Sequence, residues 1–218
     1  MLKLQYIEDL NFPSVEKATE EGLLGYSFDI SVEQVLKALT IGIFPWYEEH
    51  TYPFLWWAPD PRFVVFPEKA KVSKSLKKSY QNFEYAINKN FEQIIFSCAK
   101  IKRKGQEGTW IDRNMLYIYI MLHRLGYAMS FETYFNGDLV GGLYGVNLGG
   151  VFIGESMFHT QTDASKSAFV HLVNYCLENN IHIIDCQLHT PLLESLGGEF
   201  ISRANYSEYL RKFVNVNI

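Results

Sequence analysis

Two carboxylates and one amide interrupt stretches that are otherwise apolar: Glu155 in FIGESMF, and Asp185 and Gln187 in HIIDCQ. Each stretch reads as a buried strand. On a strand, residues two apart share a face, so Asp185 and Gln187 are expected to point the same way. Burying a charge or an amide costs on the order of several kcal/mol unless it finds partners. If residues 164–179, ASKSAFVHLVNYCLEN, form a crossover helix, the strands bearing Glu155 and Asp185 become neighbours. The three polar groups then meet at one cleft beside the helix N-terminus. Any one of them alone reads as part of a structural hydrogen-bonded network, whereas three at adjacent strand ends read as a site. Its chemistry would be hydrogen bonding and proton transfer at a bound polar group.

Other chemistries lack their residues. Ser156 sits in GESMF, not in a GxSxG elbow, and no nucleophile–base pair stands out. A Walker loop is absent, and Gly141, Gly142 and Gly145 do not have dinucleotide-binding spacing. His159, His171, His182 and His189 are scattered singly, and Cys98, Cys176 and Cys186 form neither a disulfide framework nor a metal pattern. A reduced, cytoplasmic protein without a metal is expected. The nearest candidate for a membrane span, Leu139 to Phe158, carries six glycines, Asn147 and Glu155, so none is expected. The opening MLKLQYIEDLNF lacks the apolar core of a signal peptide.

The net charge of −4 conceals an asymmetry. Residues 69–104 hold ten of the twenty Lys and Arg and only two acids, Glu84 and Glu92, so this stretch is +8 and the remainder −12. A basic segment on an acidic body points to a polyanion held by counterion release, the alternative being a solvated face with no partner. Lys74, Lys77 and Lys78 fall at helical spacing in SKSLKKSYQN and should share one face.

The elements that must position the site fall into two units, residues 1–62 and 63–218. In the first, Ser31 caps a predicted helix, SVEQVLKAL, with Gln34 at the capping-box position. The run IGIFPWYEEHTYPFLWWAPDPRF follows, with four prolines, three tryptophans and no strand or helix period. It reads as an ordered loop pinned by aromatic packing: a plug between lobes, or a platform on which a base stacks for about 1–3 kcal/mol. In the second unit the pattern predicts strand FVVF, the lysine helix, helices FEQIIFSCAKI and RNMLYIYIMLHRLG, and strands YAMSFETYF and DLVGGLYGV. Asn136-Gly137 between those two strands is a strong hairpin signal. Strand VFIGESMF, the 164–179 helix capped by Thr162 or Asp163, and strand IHIIDCQL come next. A short helix opened by Thr190-Pro191, strand EFIS and a last helix from about Ser207 complete the chain. The fold class expected is α+β. A small N-terminal domain joins a domain that resembles GNAT-type acyltransferases, with a mixed, mostly antiparallel sheet flanked by helices.

With these residues in hand, the chain resembles the leucyl/phenylalanyl-tRNA–protein transferases. The matching stretches are GLLGYSFDIS, GIFPW, LWWAPDPR, GTWI, LVGGLYGV, FIGESMF, ASKSA, IDCQ and SLGG, in the family's order from residue 22 to about 206. No single stretch would suffice; GIFPW, WWAPDPR, GESMF and DCQ together are highly specific. The resemblance implies transfer of leucine, phenylalanine or, less often, methionine from aminoacyl-tRNA to the N-terminus of proteins beginning with Arg or Lys, which marks them for degradation. It implies no metal and no acetyl-CoA. Family roles fall on Asp185, Gln187 and Glu155 at the centre. Trp46 and Trp110 match aromatics associated with the terminal adenosine, and Leu143, Phe152 and Phe169 fall where the family builds an apolar pocket. The tRNA is expected on Lys71, Lys74, Lys77, Lys78, Lys102, Arg103 and Lys104, and the protein is expected to act as a monomer. The chain departs from the family's usual pattern at Ser27-Phe28-Asp29-Ile30, at Leu39-Thr40-Ile41 and at Leu192. The rivals are a related transferase with an acidic acceptor, an acetyl-CoA enzyme and a non-catalytic tRNA-binding protein. The second lacks a Gly-rich pyrophosphate loop before the 164–179 helix; the third needs no buried acid.

Overall fold

The computed structural model describes residues 4–47, 52–101 and 109–216. Its larger sheet is built outward from a hairpin. Strands β7 (Ala128–Phe135) and β8 (Asp138–Asn147) pair antiparallel across Asn136-Gly137, whose φ angles of 52° and 84° are those the tight turn requires. Strand β9 (Val151–His159) continues the meander beside β8. Helix α5 (Ala164–Glu178) then crosses over to β10 (Ile183–Asp185), which lies parallel to β9. Strand β5 (Arg62–Val65) pairs with the far side of β10, β11 (Glu199–Ile201) edges β5, and β6 (Glu84–Ile87) edges β7. The order is β11-β5-β10-β9-β8-β7-β6, and β9–β10 is its one parallel pair, so the expected mixed, mostly antiparallel sheet is present.

Side-chain alternation splits the sheet between two cores. Val64, Tyr144, Ile153 and Ile183 face one core, with helices α3 (Phe91–Lys100), α4 (Arg113–Arg124) and α7 (Arg203–Phe213). Their sequence neighbours Val65, Leu143, Phe152 and Ile184 face the other, under α5 and Leu76 of α2 (Lys74–Tyr80). Helix α5 lies close over β8: a Cβ on Gly141 would come within 2.6 Å of the Ala164 Cβ.

The N-terminal part forms a four-stranded sheet, β1-β2-β4-β3, from β1 (Gln5–Tyr6), β2 (Leu23–Ser27), β3 (Phe44–Pro45) and β4 (Phe54–Trp57). Helix α1 (Val32–Thr40) starts at the predicted capping box, with Ser31 and Gln34 bonded reciprocally. The aromatic run expected to be irregular thus contains two strands and the start of β5. Their pairing partners lie far along the chain or within two residues of prolines, and neither circumstance leaves a local period. The first core runs without a break from Ile7, Leu24 and Trp56 to Ile94, Met115 and Tyr206, so the small sheet is bound to the large one by apolar packing.

Two terminal assignments differ from expectation. The last helix begins at Arg203, four residues before Ser207, because the Ser202 side chain accepts from the Asn205 N–H. Asp163 is the N-cap residue of α5 but caps no helical N–H; its carboxylate accepts from Ser79 and Lys166 instead.

Candidate active site

Strand β10 ends at Asp185, two residues short of Gln187. The expectation that both side chains share one strand face is therefore corrected. Gln187 has φ 56°, in the left-handed region that costs a non-glycine residue about 1 kcal/mol or more. Something must hold it there, and Asp185 does. Its Oδ1 accepts from the Gln187 backbone N–H at 2.9 Å and from Arg62 Nε at 2.8 Å. Its Oδ2 accepts from an Arg62 terminal nitrogen at 2.7 Å and from the Tyr206 hydroxyl at 2.6 Å. Asp185 has no solvent exposure, and the two contacts at each oxygen leave it little capacity for a substrate. The carboxylate expected to face the cleft faces the protein instead. Sequence reasoning missed both Arg62 and Tyr206. Arg62 lies 123 residues from Asp185 at the start of a short strand, and nothing in PDPRF signals that its guanidinium is buried.

Gln187 and Glu155 do reach the cleft, a cavity of about 1560 Å³ between the aromatic run and the end of β9. The Gln187 amide has two orientations. In one, Nε2 is 3.5 Å from Glu155 Oε2, at the limit of hydrogen bonding, and Oε1 lies against the carbonyl oxygens of Gly154 and Cys186. In the other, Nε2 donates to Gly154 O at 2.8 Å and Cys186 O at 3.1 Å, and Oε1 turns toward Glu155. The second satisfies two donors in place of one strained contact. It sets two acceptor oxygens, one from Gln187 and one from Glu155, side by side.

Glu155 is tuned to that neighbourhood. Burial, the dominant cause, pushes its carboxyl up to about 8; the charge of Asp185 raises it further, while Tyr119, Arg62 and Gln187 pull it down. At neutral pH it is therefore largely protonated, and its proton can bridge to the Gln187 oxygen. Its Oε1 and the Tyr119 hydroxyl are both buried without a hydrogen-bond partner among the described residues. Burial and the neighbouring Glu155 hold the Tyr119 hydroxyl well above its usual range, and Tyr119 in turn favours the ionised form of Glu155.

The walls follow. Trp46, on the exposed lip, meets Trp57 edge-on at 5.7 Å, and Trp57 Nε1 donates to the Trp46 carbonyl at 2.7 Å. Trp110 is buried and stands edge-on to Tyr119 at 6.2 Å. Leu143 and Phe169 also line the cleft. Phe152 does not: it faces the second core against Phe131, beneath the lining layer. Trp57 was not foreseen, because adjacent residues Trp56 and Trp57 were not read as a strand that sends one inward and one toward the cleft. Lys71, Lys74, Lys77 and Lys78 are exposed around α2, whereas Lys102, Arg103 and Lys104 lie outside the described residues. Among the described residues no group of three or more His, Cys, Asp or Glu could hold a metal ion, and no helix is long and apolar enough to cross a membrane.

The pattern of the leucyl/phenylalanyl-tRNA protein transferases matches residues 64–211, and that of their N-terminal domain matches residues 28–60. The leucyl/phenylalanyl-tRNA–protein transferase of Chromobacterium violaceum is 46% identical, over 93% of this chain and 88% of the relative. That of Flavobacterium johnsoniae is 45% identical, over 94% and 97%. Among solved structures, a GCN5-related N-acetyltransferase-like protein from Streptococcus suis aligns over 81% of this chain and 67% of its own at 13% identity, with a TM-score of 0.38; likeness that faint decides nothing about chemistry. On the sequence matches, the chain belongs to the leucyl/phenylalanyl-tRNA–protein transferase family.

Proposed function

We propose that this protein transfers leucine, phenylalanine or, less often, methionine from aminoacyl-tRNA to the N-terminal α-amine of proteins beginning with Arg or Lys, marking them for degradation in the cytoplasm. The observation that carries the reading is the pair of acceptor oxygens, Gln187 Oε1 and Glu155 Oε2, at the cleft wall beside Leu143 and Phe169. In the empty site the Glu155 proton bridges the two oxygens; once that carboxyl ionises both oxygens accept, and an N–H donor fits between them. An α-amine supplies N–H donors and has an unperturbed pKa of about 8, so a useful fraction is neutral at pH 7.

In this mechanism the amine lone pair attacks the ester carbonyl carbon, the new C–N bond forms, and the C–O bond to the terminal ribose breaks. The amine proton ends on the departing ribose oxygen. The ester is already activated, so much of the rate can come from placing amine and carbonyl together. Gln187 orients the amine. Glu155, protonated at rest, donates a hydrogen bond to the Gln187 oxygen when the site is empty; in its ionised form the same carboxylate accepts a hydrogen bond from an N–H of the incoming amine. Asp185 acts through the Gln187 backbone rather than by touching substrate. Trp46 and Trp110 take the terminal adenosine, Leu143 and Phe169 the transferred side chain, and Lys71, Lys74, Lys77 and Lys78 the phosphates. Residues 1–62 supply Trp46 and Trp57, and residues 63–218 supply Trp110, the apolar pocket and the polar groups, within a single monomer.

The test mixes the protein with labelled Leu-tRNA and peptides differing only at residue one. Label should pass to Arg- and Lys-initiated peptides and not to Asp- or Glu-initiated ones. Transfer to the acidic peptides alone would assign a different acceptor, and binding of tRNA without transfer to any peptide would remove the enzymatic reading.

A further inference from the structure

Arg62 is among the most deeply buried charges of the molecule, and its position is unusual: it joins three parts of the fold. Arg62 is 1% exposed, and its guanidinium is paired in a fork with Asp185. One of its faces lies over Phe44 at 4.7 Å, in the same two-residue strand that leads to Trp46. Tyr206 of α7 lies 4.8 Å away, and its hydroxyl donates to the same carboxylate. The fork is rigid and planar, so it fixes the carboxylate in both position and rotation. A rigid carboxylate in turn fixes the Gln187 N–H, and with it a backbone conformation that glutamine would not otherwise prefer.

We propose that Arg62 and Tyr206 are positioning residues for transfer: through Asp185 they hold the Gln187 turn that aims its amide into the cleft, and through Phe44 Arg62 keeps that turn in register with the Trp46 wall. This rests on the reading of Gln187 given above. The arrangement explains why a buried ion pair is kept where apolar packing would serve stability equally well. Neither residue touches the cleft, so neither is catalytic in itself. A simple stabilising role would lower the melting temperature and leave the chemistry of the folded fraction alone. A positioning role changes the rate of the folded enzyme, and only while Gln187 is present to be positioned.

The experiment is single-turnover transfer from Leu-tRNA to an Arg-initiated peptide, with tRNA affinity and a melting curve measured on each variant. Tyr206→Phe removes one oxygen and one hydrogen bond to a charged group, and transfer should slow roughly tenfold with tRNA affinity unchanged. Arg62→Lys loses the fork and should slow it by roughly 10²-fold. If Arg62→Lys proves too unstable to measure, Tyr206→Phe alone decides. In the Gln187→Ala background, Tyr206→Phe should slow transfer no further. Tyr206→Phe at the wild-type rate overturns the inference, and so does an equal slowing with and without Gln187. Gln187→Ala at the wild-type rate overturns the reading of Gln187 itself and the inference with it.

Discussion

The turn at Asp185–Gln187 and the lysine face of α2 are opposite kinds of site. At the turn, one buried carboxylate carries four hydrogen bonds, and a glutamine sits in a left-handed conformation because of them. On α2, Lys74, Lys77 and Lys78 project from one side of a short helix whose Leu76 alone is buried. The turn works by geometry, so losing one atom matters. The lysine face works by summed charge, so any one residue is replaceable and salt weakens all of them together.

The largest effect expected from breaking this contrast is on stability. Asp185→Asn leaves the Arg62 guanidinium buried without its counter-charge, and removing one partner of a buried pair costs about 3–5 kcal/mol. A melting curve of Asp185→Asn should show a loss of that order, and any fall in transfer must be judged against the fraction folded. An unchanged melting temperature would mean that the pair does not carry the turn. Next comes the donor pocket. Valine and isoleucine are branched at Cβ and stiff there, while leucine, phenylalanine and methionine are not. Competition between Val-tRNA and Leu-tRNA should favour leucine by about 1–3 kcal/mol, with leakage to methionine; equal transfer would remove Leu143 and Phe169 from the pocket.

Glu155 gives a smaller, pH-dependent signature. Its folded-state carboxyl lies near 8, above its unfolded value, so the folded chain holds the extra proton. The associated stability is fully present below about pH 4.5 and is lost progressively as pH rises to about 8, with a slope of about 1 kcal/mol per pH unit. Melting temperature should fall more steeply across that window in the wild type than in Glu155→Gln, which cannot ionise. Parallel curves would place the proton elsewhere. The smallest effect belongs to the lysines. Replacing Lys74, Lys77 and Lys78 by Ala should reduce the slope of log affinity against log salt by about 0.7–0.9 per lost phosphate contact. An unchanged slope would move the tRNA to another face.

What the sequence made legible, and what it hid, divides along the same line. Asn136-Gly137, the Ser31–Gln34 box and Thr190-Pro191 are local signals, and each marked an element correctly. The neighbouring of β9 and β10 followed from reading the helix between them as a crossover. Glu155 and Gln187 were visible as polar residues in apolar surroundings. Their partners were not, because Arg62 and Tyr206 reach Asp185 only through the finished fold. Asp185 and Gln187 were put on one face because strand IHIIDCQL was extended three residues past Asp185, to Leu188. Phe152 was misplaced by one layer: strand parity puts it with Leu143, but Leu143 reaches the cleft and Phe152 packs beneath it.

The most direct test of the contrast between geometry and charge is to measure single-turnover transfer and Leu-tRNA affinity on Gln187→Ala and on the triple lysine variant side by side. Gln187→Ala should transfer roughly 10²-fold more slowly from fully bound Leu-tRNA with its affinity unchanged. The lysine variant should bind less tightly at moderate salt and transfer at the wild-type rate once saturated. Loss of tRNA affinity in Gln187→Ala together with a normal rate at saturation would contradict the central claim that this turn positions the reacting amine.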